Sequence, residues 1–139
     1  MNKTYLKLSL DFDFILIAIT ASLKDYVLCH HVNTRLHFNF EKVDDHTVFF
    51  DIDKPQLCFS KFYFYVEQGD NEFFILNNKS PEGFLIPEMN KVDYFLIIRQ
   101  FLDKEDLNYI LTGLNQIPDI QVAARIDPTK LKSRENLII

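Results

Sequence analysis

Residues 4–10 alternate strictly, with Leu6, Leu8 and Leu10 on one side and Tyr5, Lys7 and Ser9 on the other, which predicts a strand. Residues 14–19 are apolar on both sides and β-branched at Ile15, Ile17 and Ile19, so they read as a central strand covered on two faces. A rival reading starts a long helix near Asp13, because Phe12, Leu16, Ile19, Leu23 and Tyr26 also fall on one helical stripe. With strand followed by helix, the first helix covers 22–36 and is capped by Thr20 or Ser22. Strand patterns then follow at 36–43, 47–52, 56–68 and 72–77. They are divided by turn formers at Asp44-Asp45, Asp53-Lys54-Pro55 and Gly69-Asp70-Asn71. Connections this short favour antiparallel neighbours, hence a meander.

Residues 94–99 read as another strand. Asp103 is placed to cap a helix over 103–116, with Glu105 and Asp106 favoured by the dipole of its first turn. Leu107, Ile110, Leu111, Leu114 and Ile117 give that helix an apolar stripe, and 120–126 alternate again. Asp127-Pro128-Thr129 opens a short turn with proline at its first helical position, and Leu137-Ile138-Ile139 predict a docked end. The expected fold is α+β, one domain over 1–139. It has a single antiparallel meander sheet of about six to eight strands, two helices on one face, and a closing β-α-β unit over 94–126.

The strand at 57–67 breaks the one-sided rule. Phe62, Phe64 and Val66 occupy one face, and Leu57, Phe59, Tyr63 and Tyr65 the other. With helices on one side only, the second aromatic face needs a cover: another part of this chain, a second copy, or a different protein. Left open, it is a candidate interaction face, since large apolar patches are unusual on monomers.

Composition narrows the class. Of 139 residues, 47% are hydrophobic and only 3 are glycine, as in an ordinary folded domain; 14 Phe and 6 Tyr reinforce the sheet-rich reading. A formal charge of −5 argues against a nucleic-acid or anionic-membrane partner, both of which need a positive surface. Cys29 and Cys58 are too few for a disulfide scaffold and read as buried apolar residues of a cytoplasmic protein. Lys3 and Lys7 before the apolar run at 14–21 imitate a signal peptide, but Asp11 and Asp13 stand directly before that run. The run is also far shorter than the roughly 20 residues that cross a bilayer.

The segment Ile86-Pro87-Glu88-Met89-Asn90-Lys91-Val92-Asp93-Tyr94 fits neither a core nor a surface pattern. Pro87 fixes its own φ and extends Ile86, Glu88 and Asp93 can accept from backbone amides, and Tyr94 can bury its ring around a hydroxyl partner. Two readings follow: a corner held by side-chain-to-backbone bonds, or a ligand site around Glu88, Asp93 and Tyr94. Ile86, Pro87, Glu88, Val92, Asp93 and Tyr94 resemble the signature of the bacterial IPExxxVDY family. Asp25-Tyr26-Val27-Leu28-Cys29 with Asn33 is similar to that family's helix, although Val27 stands where a basic residue is expected and Ala18 where glycine is usual. Leu131-Lys132-Ser133-Arg134-Glu135-Asn136-Leu137 is also familial in character. The resemblance implies a single small bacterial domain and brings no assigned activity with it.

Other chemistry finds little footing. His30 and His31 beside Cys29 tempt toward a metal, yet helical neighbours point about 100° apart and cannot chelate one ion. His37 and His46 flank an expected hairpin without a spacing that unites them with Cys58. Asp11 with Asp13, and Asp44 with Asp45, read as junction and turn residues. No phosphate loop, nucleophile elbow, H-E-x-x-H or C-x-x-C is present, and nothing in the local sequence would activate Cys29 beside His31. Arg125, Lys130, Lys132 and Arg134 read as a solvated basic surface.

The expectation is therefore a non-enzymatic cytoplasmic domain without catalytic, metal or cofactor residues. It would bind an unidentified protein, or itself as a homodimer, through the Leu57, Phe59, Tyr63 and Tyr65 face or a strand edge, with no nucleic acid or membrane as partner. The alternative is a small-molecule regulatory domain with its pocket at the Pro87-Glu88 and Asp93-Tyr94 corner.

Overall fold

A computed structural model describes residues 12–139; the strand expected at 4–10 lies outside them. In chain order the elements are β1 (Ile15–Ala21), α1 (Asp25–Leu36), β2 (Glu41–Val48), β3 (Leu57–Val66), β4 (Asn71–Asn77), β5 (Lys79–Ser80), β6 (Gly83–Phe84), β7 (Tyr94–Arg99), α2 (Lys104–Asn115) and β8 (Ile120–Ile126). Short 3-10 turns occupy Pro87–Met89, Pro128–Lys130 and Arg134–Leu137. Six strands form one wholly antiparallel sheet in the order β2-β3-β4-β7-β1-β8, and β5 pairs with β6 in a small separate hairpin. The fold is α+β around one dominant sheet, as the sequence predicts.

The apolar run at the start of β1 is a strand and not the beginning of a long helix. Leu16 and Ile19, which a helix would place on one stripe, go to opposite faces of the sheet, and both are fully buried. Ile17, Ile19 and Ala21 face the helices, and Leu16 and Ala18 face away, so β1 sits between β7 and β8 with cover on both sides. The strand holds its course to Ala21, so α1 starts at Asp25, later than predicted. Neither Thr20 nor Ser22 caps it: the cap is Lys24, with extended backbone and no side-chain acceptor. Asp25 instead accepts from the Tyr26 amide at 2.7 Å. At the other end His37 closes the helix in the left-handed region, φ 58°. Asn33, one of the family-like residues, then clamps the exit, with Oδ1 accepting from Phe40 N at 2.8 Å and Nδ2 donating to Phe40 O at 3.2 Å.

Asp44-Asp45 is not a hairpin tip. The strands expected at 36–43 and 47–52 are replaced by one strand, β2, that runs through the aspartates. Val43 pairs with Lys61 and His46 with Phe59, so three steps on β2 match two on β3. That is a β-bulge, which places two exposed polar residues at the sheet's outer edge without reversing the chain. The real hairpin connections are residues 49–56 and the turn around Asp70, whose φ of 53° is left-handed.

The meander holds for β2, β3 and β4 only. From β4 the chain makes an excursion through 78–93, then returns as β7 beside β4. The strands β7 and β8 that bracket α2 are not neighbours; β1 is inserted between them and is antiparallel to both. Both helices pack on one face, where Leu28, Val32 and Leu36 meet Ile110 and Leu114. They come so close that a Cβ on Gly113 would stand 2.2 Å from Leu36 Cδ2. The opposite face, built on Phe59, Phe74, Leu76, Phe95 and Ile97, is covered by the excursion (Leu85, Ile86, Val92) and the C-terminal segment (Leu131, Leu137).

Candidate functional site

The corner at 86–94 is built on a side chain that its signature does not include. Asn78, immediately after β4, is fully buried. Its Nδ2 donates to the carbonyls of Met89 (2.9 Å) and Val92 (2.8 Å), and its Oδ1 accepts from Ile86 N at 2.8 Å. Its own backbone binds Asp93 O and Leu85 N. One amide therefore satisfies Ile86 N and Val92 O, on either side of the 3-10 turn at Pro87–Met89, and adds a second bond to Met89 O, which also accepts from Val92 N. Nothing in the local sequence separates a buried Asn78 amide from an exposed one.

The signature residues then lock this unit to its surroundings. Ile86 and Val92 are buried in the core beneath it. Asp93 Oδ2 accepts from Ala21 N at 2.8 Å, holding the end of β1, while Oδ1 pairs with Lys79 Nζ at 2.7 Å. The Tyr94 hydroxyl donates to Leu23 O, in the link from β1 to α1. Burial, reinforced by the carboxylates of Asp25 and Asp93, pushes that phenol far above its ordinary pKa. Glu88 reaches the C-terminal segment: Oε2 accepts from Ser133 N and Oε1 from Ser133 Oγ, both at 2.7 Å. Partial burial alone would raise the Glu88 pKa. The amide and hydroxyl of Ser133, its own amide and that of Lys132 outweigh burial and hold it below the usual carboxylate value.

Two further bonds fasten the same C-terminal segment. Asn136 Nδ2 donates to Leu85 O at 2.9 Å, and His46 Nε2 donates to Asn136 O at 2.6 Å. Since a carbonyl only accepts, His46 carries its proton on Nε2. Burial lowers its pKa most; the bond to Asn136 opposes this and Lys61 adds to it. Arg134 lies over the Phe12 ring, 5.7 Å from its centroid. The segment 131–137 and the 86–94 corner thus meet in one latch across the sheet.

The aromatic face of β3 is mostly claimed by this cover. Phe59 is buried beneath it; Leu57 and Tyr63 are half-buried, the Tyr63 ring packs at a tilt with its centroid 5.1 Å from that of Phe74, and its hydroxyl donates to Glu72 Oε2 at 2.9 Å. Only Tyr65 is open, 44% exposed, with its hydroxyl donating to Asp70 at 2.6 Å.

Exposed apolar surface collects elsewhere, in the connection from β2 to β3. Phe49 is 72% exposed, Phe50 42% and Ile52 96%. Beside them lies a groove of about 460 Å³, lined by Phe50, Pro55, Leu57, Phe84 and Pro87 together with Lys54 and Glu82. Leu57 and Pro87 are thus the two residues singled out in the sequence that the structure brings together at an open surface. A larger cleft of about 640 Å³ at the far end of β7 is lined by charges of both signs, Asp13, Arg99 and Arg125.

Cys29 is buried and lies on α1 against the helix-side core; burial and then Asp25 push its thiol up to about 12. His30 and His31 stack edge to face at 5.8 Å between ring centroids. Among the described residues no group of three or more His, Cys, Asp or Glu side chains gathers as a metal site would need, and no helix is long and apolar enough to cross a membrane. Comparison with protein-family models, with curated proteins and with solved structures finds no match to this chain.

Proposed function

We propose that this protein is a non-enzymatic, cytoplasmic interaction domain of the IPExxxVDY type that docks a protein on the 49–55 loop and the groove beside it. The observation that carries this reading is the exposure of Phe49, Phe50 and Ile52 within one short connection, against an apolar groove. Large apolar side chains clustered in water mark contact surfaces more often than chance exposure does. The aromatic strand contributes through Leu57, at its loop end, and less through Phe59 or Tyr63.

A non-catalytic role is supported by the state of the titratable groups. Glu88, Asp93 and Tyr94 are bonded to other parts of the chain, and the Cys29 thiol is held protonated. The same bonds weigh against a small-molecule pocket at the corner, where Pro87 faces the groove but Asp93 and Tyr94 hold backbone. A pull-down from the native cell, with light scattering on the purified protein, tests the reading. The expected result is a captured partner, or a dimer, that Phe49→Ser/Ile52→Ser abolishes and Tyr65→Ala retains. Identical capture and identical mass for wild type and the loop variant would overturn it.

A further inference from the structure

From the charges around this surface we infer what it takes: a short apolar segment of another protein, flanked by lysine or arginine. This rests on the reading of the loop and groove as a docking surface and adds the class of partner. Asp51 and Asp53 stand exposed on the loop and the exposed Glu82 lines the groove, against one lysine, Lys54, which is on the loop and lines the groove too. Lys79, on the hairpin that carries Glu82, is already paired with Asp93. Loop and groove together are net negative, so apolar anchors that enter the groove are best complemented by basic flanks that reach the loop.

A second copy of this chain is the worse occupant. A two-fold contact puts the same patch on both sides, so two surfaces of the same net negative charge would be brought together. Pairing through the neighbouring strand edge is blocked as well. The outer edge of β2 carries the bulge between Val43 and His46 and the exposed Asp44 and Asp45, features that keep edges from adding strands. The contact is made by side chains in the groove, and a volume of about 460 Å³ holds a few of them, not a whole domain.

The test is a selection from a displayed library of random peptides, about twelve residues long. The wild-type protein serves as bait, with counter-selection on Phe49→Ser/Ile52→Ser, whose exposed positions leave the core intact. The enriched peptides are expected to carry apolar anchors flanked by Lys or Arg. A synthetic copy of the best one should lose about tenfold or more in affinity when its basic residues become Glu. It should weaken as salt rises to about 0.5 M, and Asp51→Lys/Asp53→Lys/Glu82→Lys should reverse the preference. Patch-dependent peptides without basic flanks would overturn the partner class and leave the docking surface standing. So would a dimer in light scattering that the loop variant dissolves. Absence of any patch-dependent peptide or dimer would overturn both.

Discussion

The corner at 86–94 and the loop at 49–55 border the same groove, through Pro87 and Phe50, and use their residues in opposite ways. In the corner the conspicuous side chains turn onto the protein itself. Asp93 holds the end of β1, Tyr94 the link to α1, Glu88 the C-terminal segment, and Asn78 the carbonyls beneath. In the loop the conspicuous side chains turn into water. A recognisable motif here fixes how a sheet face is covered, while the surface with unsatisfied apolar area sits in a segment that looks like an ordinary hairpin. The covering of that face also differs from that of the opposite one. Two helices bury their own backbone polar groups, but an irregular cover needs side chains to do this, and that need accounts for the polar signature.

The corner should fail most severely at Asn78. Asn78→Ala strands the buried Val92 carbonyl and the buried Ile86 amide and removes one of the two bonds to Met89 O, and is expected to cost about 3 kcal/mol or more in urea unfolding. An effect below about 1 kcal/mol would mean that the corner is not held as described. Asp93→Ala comes next, at about 2 kcal/mol, since it frees Ala21 N and leaves Lys79 without its half-exposed ion pair. Glu88→Gln keeps an acceptor for Ser133 and should cost about 1 kcal/mol or less, its carboxylate being exposed. A Ser133→Ala partner variant should make the two losses non-additive.

Acid should loosen the C-terminal segment before the helix side. His46 and Glu88 both have folded-state pKa values below their ordinary ones. For either group the folded state binds its proton less readily than the unfolded chain. The stability each contributes is complete above its ordinary value and is lost as pH falls through the depressed one. Protection of the amides at 133–138, taken as the exchange rate relative to the intrinsic rate at each pH, should therefore fall first as pH drops below about 6.5, through His46, and again below about 4.3, through Glu88. His46→Gln, which keeps a donor for Asn136, should remove the first step only. The smallest effect is expected in the loop, where Phe49→Ser/Ile52→Ser should change unfolding by no more than about 0.5 kcal/mol.

How far the sequence reveals this molecule depends on the range of the interaction. Helix α2 is legible because its signals are local: Asp103 accepts from Asp106 N at 2.9 Å, and Leu107, Ile110 and Leu114 recur at helical spacing. β1 and β7 are legible as two-sided apolar runs, and Leu137 as a docked end. β2 was split because Asp44-Asp45 has the composition of a turn, and a bulge uses the same residues; only the pairing partner decides between them. Asn78 and Ser133 were missed as structural residues because their partners lie 8 to 14 and 45 residues away. The exposed loop is illegible for a different reason. Phe49, Phe50 and Ile52 complete a strand pattern in the sequence, and periodicity carries no information on whether anything covers the strand.

The division between latch and docking surface is tested most directly by titrating the library-selected peptide against two folded variants side by side. Asp93→Asn should bind it as the wild type does, within about twofold, despite lower stability. Phe49→Ser/Ile52→Ser should lose about tenfold or more at unchanged stability. The reverse pattern, binding lost at Asp93 and kept in the loop variant, would make the signature corner the functional site and contradict the account.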